Sequence, residues 1–183
     1  MPGRSTRLAR VYDRVVDPIV SFFSGNFDAQ GRRLAGILTW DDNRLEAVHD
    51  YIQWVFPTGQ PSAVNPSAPR VTKATVEAFE RDPALGERLR QAVDRMLGFY
   101  GLRWNGPRIE IDESRFPARA RVWLRPGNHN HLRLTRILES LTALGLIAEA
   151  RALQRCLLED VYAGPGAESV SPRTVDYWRR AAG

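Results

Sequence analysis

The chain has one cysteine, Cys156, and one lysine, Lys73, in 183 residues. A lone cysteine excludes an internal disulfide framework and suits a reducing compartment. No stretch reaches the about 18 consecutive apolar residues of a membrane-spanning helix. The basic opening, MPGRSTRLARVYDRV, leads into no apolar signal core, so a cytoplasmic location is expected. Also missing are a glycine-rich phosphate loop, a G-x-S-x-G elbow and an H-E-x-x-H pair. His129 and His131 could hold a metal with further ligands, but no C-x-x-C or matching histidine pair supplies them. The expectation is a chain with no cofactor, no metal site and no catalytic constellation. A binding module is therefore the first reading, and an enzyme of unknown class the last.

What the chain does have is arginine: 25 against the single lysine, for a net charge of +5. This bias fits a GC-rich, bacterial coding habit. Eight arginines fall between Arg103 and Arg136, against Glu110, Asp112 and Glu113. A solvated loop accounts for such charge. The competing reading is a nucleic-acid or acidic-partner module built on Arg103–Arg136. Hydrophobic and charged fractions of 43% and 26% are those of an ordinary globular protein, and the length fits one domain.

Hydrophobic spacing predicts an all-α fold, a single compact bundle of about seven helices. Residues 1–18 read as a lead-in helix carrying Leu8, Val11, Tyr12 and Val15 up to Pro18, meeting near Asp17-Pro18 a second short helix with Ile19, Val20, Phe22 and Phe23. Residues 19–162 read as the main domain, and 163–183 as a short C-terminal helix and tail. Leu34, Ile37 and Leu38 give one helical turn. Four prolines (57, 61, 66, 69) mark an extended loop, after which Thr72 opens a short helix. Asp82-Pro83 is a helix start, a capping acid followed by proline at the first helical position, and Gly101 is its left-handed stop. Asn128 or Asn130 caps a helix through Leu134, Ile137, Leu138 and Leu141. A long helix follows with Leu146, Ala150, Leu153, Leu157 and Val161 on one stripe, and Ser171-Pro172 starts the last. Cys156 on that stripe reads as a small buried hydrophobe. Residues 102–129 leave two alternatives: a small hairpin pairing Ile109–Ile111 with Ala120–Val122, or an irregular loop pinned by Trp104, Phe116 and Trp123.

The richest stretch is WDDNRLEAVHDYIQWVFP, Trp40 to Pro57. Thr39 or Asp41 can cap it, and Leu45, Val48, Ile52 and Phe56 form one apolar stripe, so a single helix ending at Pro57 is expected. That helix would place His49 on its apolar side, as a core histidine. Trp40 and Trp54 are expected to be buried. Asp41, Asp42, Glu46 and Asp50 crowd this segment, while Arg133 and Arg136 stand three apart on the later helix. Packing the two together would let carboxylates meet guanidinium groups, with His129 and Asn130 satisfying helix-end amides. Such a set braces a fold. It could equally line a cleft for a small peptide, with Trp40, Tyr51 and Trp54 as its apolar walls.

The Trp40–Pro57 run resembles the central motif of the opioid growth factor receptor conserved region. The similarity continues through Asp82-Pro83-Ala84-Leu85, Arg95-Met96-Leu97-Gly98-Phe99-Tyr100-Gly101 and Gly127-Asn128-His129-Asn130-His131-Leu132-Arg133-Leu134-Thr135-Arg136-Ile137-Leu138. The resemblance implies a receptor-like domain, since animal members are described as receptors for the peptide Met-enkephalin. They carry long C-terminal extensions that this sequence does not show, and its bacterial-looking composition speaks against the opioid role itself. The family brings no catalytic residue to carry over. Candidate ligand-binding residues are accordingly Trp40, Asp41, Glu46, His49, Tyr51, Gln53, Trp54, His129, Asn130, Arg133 and Arg136. The expected partner is a small peptide or a protein, without sequence-specific nucleic-acid binding.

Overall fold

The computed structural model describes residues 16–62 and 65–183. The expected lead-in helix through Leu8 and Val15 lies outside the described residues. Asp17 caps α1 (Pro18–Phe23), accepting from the amides of Ile19 and Val20 at 2.8 and 3.1 Å. Its second oxygen accepts from Thr75 Oγ1 at 2.6 Å. Thr75 belongs to α5 (Lys73–Arg81), whose start is a reciprocal box between Thr72 and Thr75. One carboxylate thus ties two helix starts together.

Between them lie α2 (Leu34–Leu38), α3 (Asp42–Ala47) and α4 (Ile52–Val55). The expected single helix from Trp40 to Pro57 is therefore corrected to two short ones. Asp41 caps the first, accepting from the Arg44 amide at 2.7 Å, and Val48 ends it in extended conformation. The central axis of the fold is α6 (Pro83–Tyr100), capped by Asp82 and closed by Gly101 at φ +75°. It buries Leu85, Leu89, Ala92, Val93, Met96, Leu97 and Tyr100, one continuous stripe.

After α6 comes a hairpin of β1 (Leu102–Asn105) and β2 (Arg108–Ile111), in register Leu102↔Ile111 to Asn105↔Arg108. Gly106, at φ +56°, takes the first place of the two-residue loop, a conformation that suits glycine. The hairpin pairing of Ile109–Ile111 with Ala120–Val122 is overturned, because residues 120–122 lie inside α7 (Phe116–Trp123). The signal for the true partner was Asn105-Gly106 between the alternating pairs Leu102/Trp104 and Ile109/Ile111.

The last layer comprises α8 (Asn130–Ala143), α9 (Ile147–Arg155) with a π-helical continuation Cys156–Tyr162, and α10 (Pro172–Ala181). α8 packs against α9 and α10. The expected stripe Leu146, Ala150, Leu153, Leu157 and Val161 is buried throughout, as is Cys156. Ten α-helices stand among the described residues, more than expected because the central segment divides and α7 was not foreseen. The fold class is all-α. Trp40 and Trp54 are buried, against Tyr51 and Phe22 at centroid distances of 5.5 and 5.6 Å.

Candidate functional site

Arg133 lies on the inward side of α8 and is 5% exposed. Its Nη1 donates to the Leu45 carbonyl at 2.9 Å and its Nη2 to the Val48 carbonyl at 2.9 Å. In an unbroken helix those oxygens would accept from the amides of His49 and Ile52. The guanidinium takes both places, so the gap between α3 and α4 is filled by a side chain from another element. Nη2 also lies 3.1 Å from His49 Nδ1. The Arg133 guanidinium sits 5.6 Å from the Tyr51 ring centre. Burial pushes the Tyr51 phenol up to about 12, with the charges of Arg133 and Arg95 acting the other way.

Around this bridge is a small polar group. Asn130, fully buried, donates to Glu46 Oε2 at 2.9 Å. Its backbone amide donates to Asn128 Oδ1 at 2.9 Å; the cap position itself falls to His129, whose side chain makes no cap bond, rather than to either expected asparagine. His129 Nε2 lies 3.4 Å from Glu46 Oε1, and its ring meets the His49 ring at 5.0 Å. Burial, together with the charge of Arg133, lowers the His129 pKa against the pull of Glu46. The expected carboxylate–guanidinium bridges reduce to one, Glu46 to Arg133 at 3.9 Å. Asp42 pairs instead with Arg95 at 2.7 Å, Asp50 with Arg32 at 2.9 Å, and Asp41 is spent as a cap. The core-histidine expectation for His49 is also overturned: the chain has left the helix by Val48, and His49 is exposed.

An open cleft of about 500 Å³ lies beside this group, between α4, the proline loop, α8 and Tyr177 of α10. Of the candidate residues, His49, Gln53, His129, Arg133 and Arg136 line it. Glu46 and Asn130, bonded to each other, do not line it. Trp40, Asp41, Tyr51 and Trp54 are not on its walls. Sequence reasoning missed Leu132 and Glu139, which line it and share a face of α8 with Thr135 and Arg136. The available signal was Leu132 itself, an apolar residue outside the buried Leu134–Ile137–Leu138–Leu141 stripe and 61% exposed.

The groups in the cleft differ in how well they are satisfied. Gln53 is 5% exposed, yet its Oε1 has no hydrogen-bond partner among the described residues. Arg136 makes two long contacts, to the Phe56 carbonyl at 3.4 Å and Thr58 Oγ1 at 3.3 Å. Burial holds its pKa below the ordinary guanidinium value, opposed by the charge of Glu139. The Glu139 carboxyl is itself held above its ordinary value by burial. His131, two residues from His129, is on the other side, between the rings of Trp123 and Trp178 at 6.3 and 6.1 Å. No group of three or more metal-ligating side chains is assembled among the described residues, and no helix there is long and apolar enough to cross a membrane.

Residues 29–182 match the family model of the opioid growth factor receptor conserved region. The chain is 38% identical to the opioid growth factor receptor of Rattus norvegicus over 87% of its length and 28% of that protein's. It is 36% identical to the Homo sapiens receptor, over 88% of this chain and 24% of the relative. Opioid growth factor receptor-like protein 1 of Mus musculus is 30% identical over 75% and 30% of the two chains. The match thus spans about a quarter of the length of the receptors. No solved structure matches the chain.

Proposed function

The chain belongs to the opioid growth factor receptor conserved-region family, and we propose that it is a receptor-like binding module whose cleft between α4 and α8 takes a short peptide or a peptide segment of a partner protein. The observation that carries this is the convergence of His49, Gln53, His129, Arg133 and Arg136 on one cleft of about 500 Å³. That volume is in the range of small-ligand sites, about 300–1,000 Å³, which mix apolar walls with a few fixed polar groups. Ile52 and Leu132 supply the apolar part. The relatives' name, receptor, supports the same reading. The module would act by binding rather than catalysis, and in the cytoplasm.

An NMR titration of the ¹⁵N-labelled chain with a degenerate library of N-acetylated tripeptides tests this directly. Shifts should concentrate on Gln53, Leu132 and Arg136. Leu132→Glu should leave the melting temperature unchanged, since Leu132 is largely exposed, and should weaken binding. Absence of shifts in the cleft, or shifts centred elsewhere, would sink the proposal.

A further inference from the structure

Resting on the peptide reading above, we infer that the cleft recognises a free C-terminal carboxylate. Arg136 would receive that carboxylate and the Gln53 amide the peptide unit before it. Two arginines of α8 line the cleft, and they are in opposite condition. Arg133 is spent: its two terminal nitrogens hold Leu45, Val48 and His49. Arg136 has no carboxylate within ion-pair distance among the described residues, and its two acceptors lie at 3.3 and 3.4 Å. A guanidinium presents five donors in a planar fork that matches a carboxylate. The Arg136 fork is largely unused, and it is half-buried in the cleft wall.

Gln53 supplies the independent observation. Buried polar side-chain atoms nearly always have a partner, yet Gln53 Oε1 has none while its residue lines the cleft. A primary amide offers a donor and an acceptor side by side whichever way it is turned. The group that answers both at once is a peptide unit. Leu132 and Ile52 then give apolar contact to a terminal side chain. A phosphate fits less well, because it calls for more than one free cation and Arg133 is already taken. Glu139, one turn beyond Arg136 on the same wall, opposes an incoming anion. It is not within ion-pair distance of Arg136, whose contacts are to the Phe56 carbonyl and Thr58 Oγ1.

Two degenerate N-acetylated tripeptide libraries, one ending in the free acid and one in the carboxamide, make the test, read by NMR on the Gln53 side-chain amide and Arg136 Nε. The acid library should bind about tenfold tighter, the yield of one charge-assisted hydrogen-bond pair. It should move both signals, and the carboxamide library should move Gln53 alone. Arg136→Gln should lower the acid to the carboxamide level, and Glu139→Gln should tighten the acid. Should Arg136→Gln fail to fold, the acid–carboxamide comparison on the unaltered chain decides. Equal affinity for the two libraries overturns the carboxylate assignment and leaves the cleft reading standing. Silence of every cleft signal with both libraries removes the cleft reading instead.

Discussion

Arg133 donates to the Val48 carbonyl at 2.9 Å across 85 residues of sequence. With the matching bond to Leu45, this contact occupies the carbonyls at the break between α3 and α4 and locks α8 to the end of α3. The charge is nine-tenths or more buried and its strongest contacts are to backbone oxygen, with Glu46 at 3.9 Å as the nearest carboxylate. Its role in the fold is that of a missing segment of backbone.

Replacing Arg133 by alanine should therefore destabilise the chain strongly. Leaving a buried acceptor dry costs about 1–3 kcal/mol, and two carbonyls lose their donor together. The expected loss is roughly 3 kcal/mol or more on that basis, read as a shift in urea midpoint. Arg133→Lys should recover little, because an ammonium cannot span two carbonyls with a planar fork. Full stability in the lysine variant would show that charge, and not the fork, is what α8 contributes.

Local signals were legible in the sequence where the stabilising group sits within four residues. Asp82-Pro83, Thr72, Asp17-Pro18 and Ser171-Pro172 each start the helix expected of them, because cap and amide are neighbours. The break at Val48 was not legible, since the stripe Leu45–Val48–Ile52–Phe56 continues through it and its cause lies on α8. The hairpin was legible at Asn105-Gly106 and was paired with the wrong segment. For the site, packing of the Asp41–Asp50 segment against Arg133 and Arg136 was expected, and Glu46 and His49 do meet Arg133, while Leu132, Glu139 and Tyr177 were not among the candidates. Their place depends on how α8 rotates against α4 and α10, which spacing along one helix does not fix.

Gly101 is the second sensitive position. It holds φ +75°, and an added Cβ would meet Phe116 Cα at 2.7 Å and Phe116 N at 3.0 Å. Both obstacles are backbone, so neither can swing aside. Gly101→Ala should combine left-handed strain of about 1–2 kcal/mol with displacement of α7 from the end of α6. Calorimetry should show a clear drop in melting temperature, whereas Gly145→Ala, with open space around it at φ +84°, should cost the strain alone. Equal losses at the two sites would remove the steric part of this account.

His131 gives the chain an acid-sensitive element. Burial lowers its pKa below 6.5, while the Trp123 carbonyl draws it partly back. The unfolded chain takes up the proton first, so it binds more protons in the interval between the two values. Stability from this group is complete above about pH 6.5 and is lost as pH falls through the folded pKa. His131→Phe keeps a ring between Trp123 and Trp178 and should lose less stability between about pH 7.5 and 5. The same comparison cancels Glu139, whose raised pKa acts in the opposite direction. Parallel urea midpoints for the two proteins over that range would assign the acid sensitivity elsewhere.

The basic stretch from Arg103 to Arg136 is largely spent within the fold. Arg103 pairs with Glu110 at 2.6 Å, and Arg115 and Arg119 approach Asp42 at 3.7 and 3.5 Å. Arg133 is buried and Arg136 faces the cleft. Arg108, Arg121 and Arg125 remain exposed and without an ion pair among the described residues. Three phosphate contacts predict a salt slope of about −3 or shallower in log K against log salt, at about −0.9 for each contact. Dissociation constants should then fall in the non-specific range, about 10⁻⁴ to 10⁻⁶ M at physiological salt. Fluorescence polarisation with labelled DNA and RNA duplexes and single strands, repeated across salt, gives both quantities. A steep slope, or nanomolar preference for one sequence over its scrambled control, would mean that arginines now seen pairing with Asp42 and Glu110 exchange those partners for phosphate.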